Sequence, residues 1–167
     1  MGCGKSTIGR ILKEKIGYQL VDTDLIIEQQ QGMPIADIFE KQGEQSFRDM
    51  ETKLLQDLSE QHCHEHIIST GGGIVTRPEN SNLLRQLGFV VWLTCSSEDI
   101  LTRTSRNNNR PLLQGDNPMK TITRLLEERT PMYESAAHLK INTSDLQFDE
   151  VVCGVLESAR YHYGSMQ

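Results

Sequence analysis

The sequence predicts one α/β domain over residues 1–167, a three-layer α/β/α arrangement in which helices cover both faces of a parallel sheet. Short apolar runs alternate with amphipathic helical stretches along the chain, and this alternation is typical of parallel sheets. In addition, a glycine-rich segment near the start of the chain runs directly into the first helix, as in folds that hold phosphate at a helix N-terminus.

Hydrophobic spacing places the individual elements. Apolar residues three and four positions apart predict a first helix from Lys5, and Gly17 ends it. The same spacing predicts helices up to about Ser59, near 79–87, from Ser97, over 118–129 and from Phe148. Short apolar runs predict strands over 19–22, 66–70, 89–94 and 139–142.

Two of the predicted helices carry continuous apolar stripes. The stripes are Phe47, Met50, Leu54, Leu55 and Leu58 on the long helix from Glu44, and Val151, Val152, Val155 and Leu156 on the last helix. Residues at this spacing share one face of a helix. We therefore assign both stripes to the hydrophobic core.

Composition limits the partners of the chain. The 17 basic and 23 acidic residues give a net charge of -6, so neither nucleic acid nor an anionic membrane is an expected partner. No apolar run reaches the length of a membrane span, about 18 residues, and no secretory signal pattern is present. We expect a cytoplasmic protein and, because the sequence shows no interface signature, a monomer.

The four cysteines, Cys3, Cys63, Cys95 and Cys153, are scattered along the chain without a C-x-x-C pair. This pattern favours reduced thiols over a zinc ribbon or a disulfide framework. A metal cluster is the alternative for residues 62–66, HCHEH, where two histidines stand four positions apart. Its place between a helix and a strand favours a solvated connector instead.

Residues 2–7, GCGKST, form the end of the phosphate-loop pattern G-x-x-x-x-G-K-[ST]. In this pattern Gly4 lets backbone N–H groups face phosphate oxygens, Lys5 reaches the β- and γ-phosphates, and Ser6 offers its hydroxyl to Mg²⁺. A chance glycine-rich segment is the alternative. The helix that begins where the pattern requires one favours the phosphate loop.

The first glycine of that pattern, and the strand that precedes it, would lie upstream of Met1. Such a strand is central in the sheet, and its four buried aliphatic side chains would contribute roughly 6–12 kcal/mol, against about 5–15 kcal/mol for a whole domain. We therefore expect that the first, central strand is missing from this chain. We also expect that the working protein begins about a dozen residues earlier.

Two further segments follow predicted strands. Asp22 and Asp24 follow the strand predicted over 19–22, at the sheet edge where ligands bind in open α/β folds. Phosphoryl transfer needs a carboxylate near Mg²⁺ and a group that orients the attacking hydroxyl, although Asp24 can also be a helix cap. Gly71, Gly72 and Gly73 offer bare backbone to a small substrate, and a flexible turn is the alternative.

The segment 103–117 is polar and contains Arg103, Arg106 and Arg110. These features are expected of a lid that closes over phosphates and excludes water. A solvated surface loop is the alternative. Three arginines so close together in an acidic chain favour an anionic partner.

Taken together, six motifs resemble those of the shikimate kinase family in order and spacing. They are GCGKST, Asp22-x-Asp24, Phe47-Arg48-x-x-Glu51, Thr70-Gly71-Gly72-Gly73, Arg110-Pro111-Leu112 and Glu128-Arg129-x-Pro131-x-Tyr133. The resemblance covers nearly the whole chain. It implies a P-loop kinase fold and the ATP- and Mg²⁺-dependent phosphorylation of shikimate at its 3-hydroxyl, in the shikimate pathway to chorismate and the aromatic amino acids.

The resemblance also implies roles for individual residues. The implied ATP-binding residues are Gly2, Cys3, Gly4, Lys5, Ser6, Thr7, Arg103, Arg110, Pro111 and Gln147. The implied shikimate site lies in a helical region over about 24–60 and on Asp24, Arg48, Gly71, Gly72, Gly73 and Arg129, with Arg48 and Arg129 holding the carboxylate. The implied catalytic residues are Asp24, Lys5 and Arg110, and Mg²⁺ is implied at Ser6 and Asp22.

Three alternatives stay open at this point. A gluconate-kinase-like enzyme would share the phosphate loop and the lid, but the glycine triplet with Arg48 and Arg129 favours a rigid ring that carries one carboxylate. A non-catalytic ATP-binding relative would not need Lys5, Ser6 and Asp24 together. The third alternative is an inactive, truncated product of the same family.

Overall fold

A computed structural model describes residues 2–61, 64–105 and 117–165 of the chain. Helices and strands alternate through these ranges, which confirms the predicted α/β class. The elements are α1 (Lys5–Ile16), β1 (Gln19–Asp22), α2 (Thr23–Gln31), α3 (Ile35–Glu60), β2 (His66–Ser69), a 3₁₀-helix (Ile74–Thr76), α4 (Pro78–Leu87), β3 (Val91–Thr94), α5 (Ser97–Thr104), α6 (Pro118–Ala136), β4 (Leu139–Asn142) and α7 (Phe148–Gly164).

The described strands form two parallel pairs. β1 pairs with β2, with Gln19 opposite His66, and β3 pairs with β4, with Val91 opposite Leu139. Parallel partners need a long crossover connection, and helices supply it in both pairs. The segments that follow the carboxyl ends of these strands include the predicted site residues Asp24, Gly71, Arg103 and Gln147.

Adjacent residues of β2 show that helices cover both faces. Ile67 packs in a cluster with α1 and α7, around Ile8 and Val152. Ile68 packs in a different cluster with α2 and α3, around Ile27 and Phe47. Successive strand residues point to opposite faces, so the two clusters lie on opposite sides of the strand.

An apolar cavity of about 370 Å³ lies between the two strand pairs. Its lining includes Ile67 of β2, Leu93 of β3 and Leu12 of α1, and it extends to Cys3 and Cys95. The mostly aliphatic and aromatic lining suits neither a phosphate nor a carboxylate, so we assign no polar ligand to it. The central strand that the sequence analysis expects upstream stays a prediction.

Two element boundaries differ in instructive ways from the predicted ones. α6 runs past Arg129 and through Pro131 to Ala136, and the buried Ala136 packs in the core. Tertiary packing thus outweighs the loss of one helical hydrogen bond at the proline. β3 begins two residues later than predicted, at Val91. Within α3, Gly43 breaks the helix with φ 83°, which matches the predicted start of a long helix at Glu44.

Both predicted stripes lie in the core. Phe47, Leu54, Leu55, Leu58, Val151, Val152 and Val155 are buried, while Met50 and Leu156 are partly buried against these clusters. Within the ranges that the structure describes, no helix combines the length and apolarity needed to cross a bilayer.

Candidate active site

The phosphate loop leads directly into α1. Gly2 and Gly4 have φ angles of 68° and 83°, a left-handed conformation that glycine adopts readily. Gly4 is the N-cap of α1, and Lys5 and Ser6 are its first residues. The loop amides and the positive end of the helix dipole therefore lie together, which is the arrangement that attracts phosphate.

Two residues of distant elements contact this loop, and one of them, Arg103, belongs to the predicted ATP site. Arg103 of α5 donates from Nη1 to the Gly2 carbonyl at 3.4 Å. At the start of α7, the Phe148 ring covers Gly4 so closely that an added Cβ would lie 2.9 Å from the ring. Gln147 itself is the N-cap of α7 and forms a capping box with Glu150, which explains its position without a ligand.

Asp22, and not Asp24, caps the helix that follows β1. Its Oδ1 accepts hydrogen bonds from the backbone N–H groups of Asp24 at 3.1 Å and Leu25 at 3.3 Å. Ser69 at the end of β2 is tied to the same place, because Thr23 donates its hydroxyl proton to the Ser69 carbonyl at 3.4 Å. The ends of β1 and β2 are thereby held together, with Asp24 in the first turn of α2.

The turn after β2 consists of glycines, and side chains of other elements occupy the space where Cβ atoms would lie. A Cβ added at Gly71 would lie 2.6 Å from Asp24 Oδ1 and 3.1 Å from Glu51 Oε1. A Cβ added at Gly73 would overlap the guanidinium of Arg48. Neither glycine has a positive φ. The need for glycine therefore comes from close approach, and not from the flexible turn considered as an alternative.

Arg48 is buried and held by two carboxylates of its own helix. Its Nη1 lies 2.7 Å from Glu51 Oε2, and its Nη2 lies 2.7 Å from Glu44 Oε1. Arg48 is 6% exposed and Glu51 is 0% exposed, so this ion pair is almost fully desolvated. The rings of Phe39 and Phe47 lie 5.9 and 5.4 Å from the guanidinium carbon. These contacts fix the orientation of the planar cation.

Burial acts on both members of this pair. It raises the pKa of the Glu51 carboxyl, an effect that the Arg48 charge opposes and the nearby Asp24 charge reinforces. Burial also lowers the pKa of Arg48, but the two glutamates outweigh it and the net shift is upward. Arg48 therefore stays a cation in the folded protein.

Arg129 approaches the same turn from α6. Its Nη1 donates to the Gly72 carbonyl at 3.3 Å, and the phenolic O–H of Tyr133 donates to that carbonyl as well. Burial raises the pKa of Tyr133, so its hydroxyl stays a donor. Three elements thus bring two guanidinium groups and the Asp24 carboxylate to one glycine turn.

Three residues of this network had no role assigned from the sequence: Glu44, Glu51 and Tyr133. Glu51 and Tyr133 belong to the quoted motifs, and Glu44 and Glu51 stand four before and three after Arg48. That spacing places the side chains of Glu44, Arg48 and Glu51 on one helix face, and it could have identified the two glutamates as partners of the arginine. Their partner across the turn, Gly73, could not be found in this way.

Arg110 and Pro111 lie outside the described residues, as do Arg106 and most of the predicted lid over 103–117. Their predicted roles therefore stay predictions. Of the histidine cluster, only His64, Glu65 and His66 are described. Among the described residues, no group of three or more His, Cys, Asp or Glu side chains is arranged to hold a metal ion.

Gly73→Ala should disturb this site without unfolding the protein. The added methyl group must displace the Arg48 guanidinium, whereas the backbone conformation at Gly73 suits alanine. We expect the KM for a carboxylate substrate to rise about tenfold or more, because a displacement near 1 Å is enough for such an effect. Steady-state kinetics measure it.

Gly154→Ala is the matched control for that variant. Gly154 lies within α7, and its added Cβ would meet only Ile141 Cδ1 at an ordinary 3.8 Å. Its kinetics should equal those of the parent chain. Unchanged kinetics in Gly73→Ala as well would mean that Arg48 does not need the space over this glycine.

Comparisons with known proteins indicate a single family. The family model described as shikimate kinase matches residues 1–160. A shikimate kinase from Marinomonas sp. is 40% identical over 162 residues, which are 97% of this chain and 89% of the relative. The structure of a shikimate kinase from Acinetobacter baumannii in complex with shikimate superposes with a TM-score of 0.88 at 40% identity, covering 94% of this chain and 87% of that one.

The gluconate-kinase-like alternative finds weaker support. A gluconokinase from Sinorhizobium meliloti superposes with a TM-score of 0.58 at 18% identity, and a likeness at that identity shows only the shared fold. It covers 100% of this chain and 93% of that one, so the difference does not arise from partial overlap. The family model, the identity over nearly the whole chain and the P-loop kinase fold agree, and the chain belongs to the shikimate kinase family.

Proposed function

We propose that this chain transfers the γ-phosphoryl group of ATP to the 3-hydroxyl of shikimate, giving shikimate 3-phosphate and ADP. The observation that carries the proposal is the convergence of Arg48 and Arg129 on the glycine turn next to Asp24. A planar guanidinium matches a carboxylate, and an aspartate can accept a hydroxyl proton. A ring that carries both a carboxylate and hydroxyls fits this set of groups.

The residues divide into an acceptor half and a nucleotide half. In the acceptor half, Arg48 and Arg129 orient the carboxylate, and Asp24 orients the 3-hydroxyl and accepts its proton. In the nucleotide half, the amides of residues 2–7 and Lys5 hold the phosphates, and Arg110 balances charge on the transferring group. Phosphoryl transfer needs mainly positioning and charge stabilisation, so this division suffices for the reaction.

Mg²⁺ fits the oxygen donors of Ser6, in the phosphate loop, and of Asp22, at the end of β1. Ser6 is exposed at the start of α1, and Asp22 uses Oδ1 for its helix cap, so its carboxylate presents a second oxygen. Mg²⁺ prefers oxygen ligands and keeps waters and substrate phosphates in its shell, so it needs no cage of three carboxylates. Bound there, it would neutralise charge on the phosphates.

An ADP-release assay with chosen acceptors tests this proposal. We expect ADP release that depends on shikimate, little release with gluconate, and a much lower apparent affinity for shikimate methyl ester, which lacks the negative charge. Equal rates with shikimate and gluconate would overturn the assignment of the acceptor. Equal affinity for shikimate and its ester would overturn the role of the two arginines.

Arg48→Lys should mainly raise the KM for shikimate. Lysine keeps the charge but loses the planar fork, so we expect a rise of about 10- to 100-fold with a smaller change in kcat. Arg124→Lys is the control, because Arg124 lies on the same helix as Arg129 and forms an exposed pair with Glu128. A fall in kcat at unchanged KM would show that Arg48 is not the carboxylate anchor.

The finer assignments of the sequence analysis stay predictions. These are the cytoplasmic location, the monomeric state and the inactive-product alternative. Sedimentation analysis tests the second, and the assay above tests the third. ADP release by this chain, compared with a version extended upstream by an apolar strand, separates an inactive product from an active enzyme.

A further inference from the structure

Two cysteines that lie 92 positions apart in the sequence meet behind the phosphate loop. The Sγ atom of Cys95 lies 2.9 Å from the Sγ atom of Cys3, and its S–H group donates a hydrogen bond to that atom. Cys3 stands between Gly2 and Gly4 in the loop, and Cys95 directly follows β3. Both thiols are reduced in the structure.

We propose that Cys3 and Cys95 form a reversible disulfide when the protein meets a peroxide, and that this bond locks the phosphate loop to the end of β3. A disulfide needs a sulfur–sulfur distance of about 2.05 Å, so the two atoms must approach each other by only about 0.9 Å. Gly2 and Gly4 flank Cys3, and their conformational freedom allows the loop to supply part of that movement.

The local charges suit a reactive thiolate at Cys3. The hydrogen bond from Cys95 lowers the pKa of Cys3 to about 6, against the effect of burial, and the positive charges of Lys5 and Arg103 act in the same direction as that bond. The same hydrogen bond, together with burial, raises the pKa of Cys95. One sulfur of the pair is thus the nucleophile, and the other keeps its proton.

Access for a small oxidant is provided on the side of Cys95. Cys3 is only 5% exposed, which excludes bulky reagents. Cys95 is only half-buried, so a molecule of the size of hydrogen peroxide can reach the pair of sulfurs from that side.

The reaction balances in two steps. The Cys3 thiolate attacks one oxygen of hydrogen peroxide, an S–O bond forms, the O–O bond breaks, and hydroxide leaves. The Cys95 sulfur then attacks the Cys3 sulfur, an S–S bond forms, the S–O bond breaks, and the departing hydroxide takes the Cys95 proton to become water. Two thiols lose two electrons in all, and a dithiol reductant reverses the change.

The disulfide should weaken nucleotide binding. Cys3 lies two residues before Lys5, and the loop amides must meet phosphate oxygens at hydrogen-bond distance. Because the loop supplies part of the approach of about 0.9 Å, its amides are displaced from the phosphate oxygens, and we expect ADP affinity to fall by about tenfold. Bound ADP should in turn shift the dithiol–disulfide equilibrium towards the dithiol by the same factor, because the two equilibria are linked through the same loop. This consequence rests on the proposed function, whereas disulfide formation does not.

Mass spectrometry of the native protein treated with a few equivalents of hydrogen peroxide provides the test. We expect a loss of about 2 Da, a peptide pair that links Cys3 to Cys95, and full reversal by dithiothreitol. The linked pair should form at least about tenfold faster than oxidation of the exposed Cys153. Absence of the Cys3–Cys95 peptide, or irreversible oxidation of Cys3 in its place, would overturn the proposal.

Variants make the test specific. Cys153→Ser should still form the linked pair, and Cys95→Ser should not, while both should keep the ADP-release activity of the untreated chain. Peroxide should then lower ADP affinity in Cys153→Ser and leave it unchanged in Cys95→Ser. Equal losses of affinity in both variants would show that the disulfide is not the cause. A linked peptide without any loss of ADP affinity would support the disulfide but overturn its proposed effect on the phosphate loop.

Discussion

Glu51→Ala should destabilise the protein by about 3–5 kcal/mol, the cost of breaking a buried ion pair by removing one partner. Glu51 is 0% exposed, and the variant would leave Arg48 buried with Glu44 as its only remaining carboxylate among the ion pairs described. A domain of this size loses about 2–4 °C of Tm per kcal/mol, so we expect a fall of about 6–20 °C. Urea unfolding and thermal melts measure it.

Glu44→Ala is the matched control, because it removes the other carboxylate from the same arginine. Glu44 is half exposed, and a pair of this kind at i,i+4 on a helix surface contributes about 0.3–0.5 kcal/mol. We therefore predict that Glu51→Ala loses much more unfolding free energy than Glu44→Ala. Similar losses in both would mean that burial does not set the strength of the Arg48–Glu51 contact.

The pH dependence of stability provides a second check on Glu51. Burial raises its pKa in the folded state, so the folded protein holds the proton more tightly than the unfolded chain does. The stability that this proton binding contributes is fully present below the ordinary pKa of 4.5 and is lost as the pH rises through the raised value. Glutamine does not titrate. The free energy of unfolding of Glu51→Gln should therefore increase relative to that of the parent chain as the pH rises from 4.5 through the raised pKa.

Asp24→Asn should lower kcat by about 10²–10⁴-fold, the range for loss of a general base. Asparagine keeps the size of the side chain but cannot accept the hydroxyl proton. Because the amide still hydrogen-bonds the substrate, we expect the KM for shikimate to change much less than kcat. Steady-state kinetics at saturating ATP and Mg²⁺ measure both constants.

Asp22→Asn is the companion variant, since it alters the neighbouring carboxylate and keeps the helix cap. Asparagine caps helices as well as aspartate does, so α2 should be unaffected. We expect a higher Mg²⁺ concentration for half-maximal activity, with activity restored by added Mg²⁺. If Asp24→Asn retained the parent kcat, or if added Mg²⁺ restored it, Asp24 would not be the base.

The order of the elements was predictable from local patterns. The spacing of apolar residues located the helices and strands, and the glycine-rich loop identified a phosphate site, because a glycine-lysine-serine run before a helix has few other uses. Prediction failed where packing decided the outcome. α6 continues through Pro131 because Ala136 is buried and Tyr133 is half-buried beyond it, and no local signal reports that burial.

The assignment of the helix cap shows the same limit at the scale of one residue. Either Asp22 or Asp24 could cap α2 from their positions in the sequence. The structure selects Asp22, whose Oδ1 accepts two backbone N–H bonds. This choice matters for function, because it leaves Asp24 to face the glycine turn. The two carboxylates are alike in sequence and differ only in what surrounds them.

The sequence by itself determined the α/β class, the phosphate loop and the residues whose order resembles one kinase family, since these depend on residue type and spacing along the chain. Only the tertiary structure decided what those residues do to one another. It brought Gly73 under Arg48, buried Glu51 against that cation, and placed Cys95 beside Cys3. Such contacts join positions far apart in sequence, and they depend on how helices and strands pack in space.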